Sequence, residues 1–131
     1  MKAKTIFSVL AAIHILVGLA LIGMLGNAEE ALKQWIAGPI EPDVMVLISG
    51  QLRVVICHSV GAGLIMLMAR GMTNTADARR ILKGYCLFCG LVLLNAGYGA
   101  LFATAPPIPV IIMYIVGSGM AAYGSQKAVV D

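Results

Sequence analysis

Among the polar residues within the long apolar stretches of this sequence, five could share one site, where hydrogen bonding and charge recognition are the chemistry open to them. They are Gln51, Arg53, Asn95, Tyr98 and Tyr114. A guanidinium has five hydrogen-bond donors and no acceptor. Nearby amide and phenol oxygens can accept hydrogen bonds from some of these donors. We expect these residues to form one polar pocket around Arg53. In one alternative, Arg53 has a structural role and bonds only to these amide and phenol groups. In the other, it binds an anionic head group, a quinone-like carbonyl or the carboxylate of a partner subunit.

The two histidines, His14 and His58, suggest a different chemistry, because imidazoles are common ligands of haem iron. Each lies roughly 14 to 16 Å from the same end of the bundle, which brings them to a similar depth on antiparallel helices. The basic residues nearest to them lie near the membrane surface, apart from Arg53, which points about 140° away from His58, so none is placed to hold the haem propionates. We therefore predict neutral, packed rings that bond to a backbone carbonyl, a hydroxyl or each other, without metal. A bis-histidine haem b remains the alternative.

The three cysteines give no comparable site. Cys86 and Cys89 have C-x-x-C spacing, but the redox use of that spacing requires an activated thiol at a helix N-terminus after a strand. Here both thiols lie inside an apolar stretch. We predict that they and Cys57 are free thiols that pack as small hydrophobic side chains. Neither a metal-ligand spacing nor a nucleophile with a base occurs elsewhere, so we do not expect catalysis by this chain alone.

Four apolar runs must position these residues. Hydrophobic residues make up 60% of the 131 residues and charged residues 11%, with a mean hydropathy of +0.95. In soluble domains about a quarter of the residues are charged. Each run is long enough to cross a bilayer at about 20 residues per helix. The runs cover residues 5–25, 44–69, 81–104 and 107–126. We predict a single all-α domain over residues 1–131, an antiparallel bundle of four transmembrane helices.

The connection between the first two runs has a helical pattern of its own. Asn27 and Glu30 resemble a capping box, an apolar stripe follows, and Gly38 and Pro39 end it. We predict a short helix along the outer membrane interface, with Trp35 at the level of the lipid head groups. It either anchors the bundle or forms a lid over an outward-facing pocket.

Depth along the helices places the polar pocket. Arg53 lies roughly 14 Å from the outer end of the second run, and Asn95, Tyr98 and Tyr114 reach a similar level. An arginine at that depth costs at least about 2.5 kcal/mol unless a partner compensates it, and no acidic residue occurs within the four runs. The pocket is therefore predicted in the outer half of the bundle. On an ideal helix, Gln51 and Arg53 point about 160° apart. Both side chains can therefore reach the pocket only if the pocket surrounds their helix or the helix is distorted.

The basic residues predict the orientation. Seven of the nine lie at the two termini or around the turn between the second and third runs. Positive residues accumulate on the cytoplasmic side of membrane proteins. We therefore predict a multi-pass protein of a bacterial inner membrane, with both termini in the cytoplasm. These seven residues are Lys2, Lys4, Arg70, Arg79, Arg80, Lys83 and Lys127.

Several of these features together resemble the DoxX-like group of small bacterial four-helix membrane proteins. They are the segment RVVICHSVGAG from Arg53 to Gly63, the basic turn from Ala78 to Ile81 and a proline-containing last turn. The resemblance implies the four-helix fold, and some members of that group are similar to subunits of quinone-linked oxidoreductases. No catalytic motif carries over onto positions of this chain.

Three functions follow from these patterns. We expect a small accessory subunit or a protein that binds a hydrophobic, lipid-like ligand in the pocket around Arg53. The alternative is a membrane cytochrome that holds haem b between His14 and His58. An oligomeric transporter comes third, because no acid lies in the membrane to couple protons. The expected partners are membrane lipids and other membrane subunits or further copies of the chain, but not nucleic acid, since no basic stripe with interleaved aromatics occurs.

The orientation yields a test by cysteine accessibility in intact cells. A cysteine introduced at position 79 or 128 should be protected from a reagent outside the inner membrane, whereas one at position 30 should be labelled. Labelling from outside at position 79 or 128, with none at position 30, would show that the orientation is the reverse of the predicted one. The depths given for Arg53 and for the histidines would then no longer hold.

Overall fold

The computed structural model describes residues 1–27, 41–101 and 108–130, and it consists of four helices without a β-strand in this part of the chain. The predicted all-α, four-helix fold is confirmed. All four helices are long and apolar enough to cross a membrane. The short interfacial helix predicted after Asn27 lies outside the described residues. The helices are α1 (Ala3–Gly26), α2 (Pro42–Ala69), α3 (Thr75–Leu101) and α4 (Ile108–Lys127).

The start of α3 differs from the sequence prediction, which placed it at Ile81. The helix begins six residues earlier, at Thr75. Asn74 supplies the cap, since its side-chain oxygen accepts a hydrogen bond of 2.8 Å from the backbone N–H of Ala76. Asp77 adds a favourable negative charge in the first turn. The first turns of α3 lie outside the apolar run because their residues are polar and stand at the end of the membrane span.

The helices pack in the spatial order α2, α1, α4, α3. Helix α1 packs along α2 and also contacts α4, and α3 packs along α4, whereas α2 and α3 hardly contact each other within the described residues. The core consists of apolar side chains from all four helices, with the largest fully buried ones on α1. Among the described residues α2 packs mainly on α1, and none of the other three helices covers its opposite face.

Two glycines permit the close approach of α1 and α2. A Cβ atom added at Gly63 would lie 2.7 Å from Cγ1 of Ile15 and 3.2 Å from the backbone oxygen of Ala11. A Cβ atom added at Gly18 would lie 2.7 Å from Cγ2 of Val60. In a membrane, helices associate through such close packing, because lipid is as apolar as their side chains.

The last residues of the chain close one end of the bundle. The backbone N–H of Ala3 donates to the oxygen of Val129 at 2.8 Å, and Nε of Arg79 donates to the oxygen of Ala128 at 2.8 Å. The N–H of Val130 donates to Oγ1 of Thr75 at 3.1 Å. Both termini therefore lie at the end that carries the α2–α3 turn, as expected from the distribution of basic residues. That this end faces the cytoplasm stays a prediction.

The α1–α2 contact can be tested with two neighbouring glycines. Gly63→Ala should lower the free energy of unfolding by about 1–3 kcal/mol, because the new methyl group meets backbone that cannot move aside. Gly61→Ala should not lower it and should raise it by up to about 1 kcal/mol, because alanine favours the helix and nothing lies within 4 Å of its added Cβ. Unfolding of both variants in mixed detergent micelles measures the difference. Equal effects at the two positions would contradict the packing described.

Candidate functional site

An open groove of about 670 Å³ lies between α2 and α3. Eight residues of α2 between Arg53 and Met66 line one wall, and four residues of α3 between Ile81 and Phe88 line the other. This volume falls in the range of about 300–1,000 Å³ that is typical of small-molecule sites. The groove is the candidate site because it is roomy, largely apolar and carries few polar groups.

The groove exists because α2 uses two different faces. Its buried face packs on α1 and includes Ile56, Ser59 and Gly63. Val54 and Gly61 lie on other sides of the helix and line the groove instead. The groove is wide where side chains are absent: a Cβ atom at Gly61 or at Gly84 of the opposite wall would have no neighbour within 4 Å.

Arg53 lies at one end of the groove. Its side chain is exposed, and it makes no hydrogen bond or ion pair with any residue that the structure describes. From Arg53 the groove extends about 20 Å along α2 to Met66, at about 1.5 Å per residue. It therefore runs toward the α2–α3 turn, away from the outer half of the bundle where the pocket was predicted.

The five residues of the predicted polar pocket have different surroundings in the structure. Gln51 and Asn95 are exposed, as is Arg53, and Tyr98 is 65% exposed, whereas Tyr114 is buried in the core. The reason is the packing of α3, whose buried face includes Ala96, so that Asn95 is turned about 100° away from the core. Only Arg53 of the five lines the groove. Whether the other four bind a ligand stays a prediction.

His14 is fully buried and bonds to Tyr85 of α3. A hydrogen bond joins Nε2 of His14 to the hydroxyl of Tyr85. The imidazole meets the rings of Tyr85 and Tyr114 edge to face, with centroids 5.5 and 5.9 Å apart. The other ring nitrogen, Nδ1, has no partner among the described residues. The prediction of a packed histidine bonded to a hydroxyl is confirmed for His14.

His58 is exposed and lines the groove, so the prediction that it is packed is wrong. Its predicted bond to a backbone carbonyl is confirmed: Nδ1–H donates to the oxygen of Val54 at 3.0 Å. Because a carbonyl only accepts, a neutral His58 carries its free lone pair on Nε2. The two histidines thus have different surroundings, and a shared iron would require His14 to exchange Tyr85 for the metal.

Tyr85 lines the groove and forms part of its floor, a role that was not predicted from the sequence. Its ring lines the groove while its hydroxyl reaches the core, where a Cβ atom at Gly117 of α4 would lie 2.7 Å from the hydroxyl oxygen. Phe88, also in the groove, packs at 6.4 Å from the Tyr85 ring. A depth count could have found it, since Tyr85 and His14 lie about 15 and about 16 Å from the same bundle end.

The cysteines are free thiols, as predicted. Cys57 is exposed in the groove and Cys89 is buried, while Sγ of Cys86 lies 3.6 Å from Oγ of Ser118. Within the described residues, no group of three or more histidine, cysteine or acidic side chains could hold a metal ion.

Comparisons with known proteins add no assignment of function. No family model matches this chain, and no curated protein or solved structure matches it.

The bond between His14 and Tyr85 predicts a stability effect. Tyr85→Phe should lower the free energy of unfolding by about 1–3 kcal/mol, because it leaves a buried imidazole without its hydrogen bond. Tyr123→Phe on the exposed surface of α4 is the matched control and should stay within about 0.5 kcal/mol of the wild type. Thermal unfolding in detergent, followed by circular dichroism, measures both. A Tyr85→Phe protein as stable as the control would show that the bond contributes little.

Proposed function

We propose that this chain is a small, non-catalytic membrane protein that binds a hydrophobic, lipid-like ligand in the groove between α2 and α3. The groove itself is the observation that carries the proposal. Largely apolar walls favour a hydrophobic ligand, and the opening lies between two helices long and apolar enough to span a membrane, where ligands that partition into the bilayer have access. Arg53 is the polar contact.

The exposed guanidinium supports a ligand rather than a purely structural role for Arg53. A structural tie requires acceptors within the bundle, and Arg53 has none among the described residues. An arginine within the membrane span is costly unless its donors are satisfied, and such residues are commonly functional. A ligand head group in the groove would satisfy these donors. An accessory subunit that presents this ligand to another membrane protein is compatible with the same site.

Haem b is the second candidate ligand, and His58 is the residue that favours it. The bond from Nδ1–H to Val54 fixes the ring and leaves Nε2 available, which is the usual arrangement of an imidazole that ligates a metal. His14 has no such free position on Nε2. If haem binds, its absorption band should be lost in His58→Ala and retained in His14→Ala. Loss of the band in both variants would instead indicate that His14 and His58 both ligate the iron.

The groove can be filled without disturbing the core. Gly61→Leu should abolish binding of a fluorescent hydrophobic probe, because the leucine side chain extends into the space that the ligand needs. Gly50→Leu is the matched control, since Gly50 lies on the same face of α2 about 16 Å farther along and outside the groove. Fluorescence titration in nanodiscs measures the affinity of both. Equal affinity of the two variants would place the ligand elsewhere.

A further inference from the structure

The polar groups of the groove are concentrated at one end. Arg53 and His58 lie five residues apart on α2, about 7.5 Å along the helix axis. No acidic residue of the described ranges 1–27, 41–101 and 108–130 lines the groove. From His58 toward the α2–α3 turn the walls consist of apolar or small residues, among them Gly61, Ile65 and Ile81. The groove therefore has a polarity gradient along its length.

The two polar side chains offer complementary hydrogen bonds. Arg53 carries only donors and a positive charge, and a planar carboxylate or a phosphate matches its fork of N–H groups. Nδ1–H of His58 bonds to the carbonyl of Val54, so Nε2 can accept a hydrogen bond when the ring is neutral. Five residues turn an ideal helix by about 140°, so the two side chains reach the groove from different directions. An ionised acidic head group therefore binds at Arg53, which carries the positive charge of the groove.

The dimensions of the groove limit the apolar part of the ligand. It extends about 20 Å from Arg53 to Met66 and has a volume of about 670 Å³, which accommodates one long chain. Because Arg53 lies near mid-depth, the head group would pair with it inside the membrane, and the chain would lie in the half of the bundle that carries the α2–α3 turn. The floor is fixed by Tyr85, which is bonded to His14 and therefore does not rotate into the groove.

We infer that the ligand is an amphiphile with an acidic head group and one long apolar chain, with its head at Arg53 and its chain directed toward the α2–α3 turn. This inference rests on the proposed function and adds the class of ligand and its direction. A free fatty acid and a single-chain phospholipid both supply this chemistry.

The test compares three probes that share one chain: palmitate, hexadecanol and palmitoyl lysophosphatidate. The full chain is reconstituted in phosphatidylcholine nanodiscs, and dissociation constants are measured by native mass spectrometry. The wild type should bind at least one of the two acidic probes about 10- to 100-fold more tightly than hexadecanol, the range expected for a charged hydrogen bond. The preferred acid, palmitate or lysophosphatidate, distinguishes a fatty acid from a phospholipid source.

Variants assign the preference to Arg53. Arg53→Gln should bring the acid-to-alcohol ratio close to one, and Arg53→Lys should retain part of it, because lysine keeps the charge but loses the fork. Arg70→Gln, an exposed arginine of the same chain outside the groove, should leave the ratio unchanged. Unfolding midpoints of all variants establish that they are folded.

Two results would overturn the inference in different ways. If the wild type binds hexadecanol as tightly as both acids, and Gly61→Leu abolishes all binding, the groove binds lipid-like ligands but the acidic head group is wrong. If no probe binds to the wild type at all, the proposed function fails together with the inference.

Discussion

The structure depends on the close packing of α2 against α1. Gly63 and Gly18 bring the two helices together, and each would clash with its neighbour if it carried a side chain. Within the described ranges α2 is held mainly on this side, so its other face faces the groove toward α3. A bundle in which α2 also packed on α3 would have no such groove.

The membrane environment gives opposite roles to the polar residues in the spans. His14 is buried and bonds to Tyr85, so its polarity is used to link α1 to α3 and to fix the groove floor. Arg53 and His58 face the groove, and Arg53 has no partner within the described part of the chain. Because lipid offers no hydrogen-bond partners, a buried pair contributes to the fold, whereas an open donor is available for a ligand.

The four helices could be predicted from the sequence because their apolar runs match the thickness of a bilayer, but their contacts could not. Helix α2 carries apolar residues all around, so its sequence does not indicate which face meets α1 and which remains open. Depth counting brought together Arg53, Asn95 and Tyr98 although only Arg53 lines the groove, because depth carries no information on direction around the helix axis. The same count applied to His14 would have led to Tyr85, its actual partner. The start of α3 was missed because hydropathy was read without the Asn74 cap.

Photo-cross-linking tests the central claim, ligand binding in the groove, most directly. A lipid-like probe with a diazirine on its chain is added to the protein in nanodiscs, and the modified residues are mapped by mass spectrometry. The account predicts modification of α2 between Val54 and Ile65 and of α3 between Ile81 and Phe88, with competition by excess unlabelled ligand. Modification that is instead spread evenly over exposed lipid-facing residues such as Leu16 and Leu94, without competition, would contradict it.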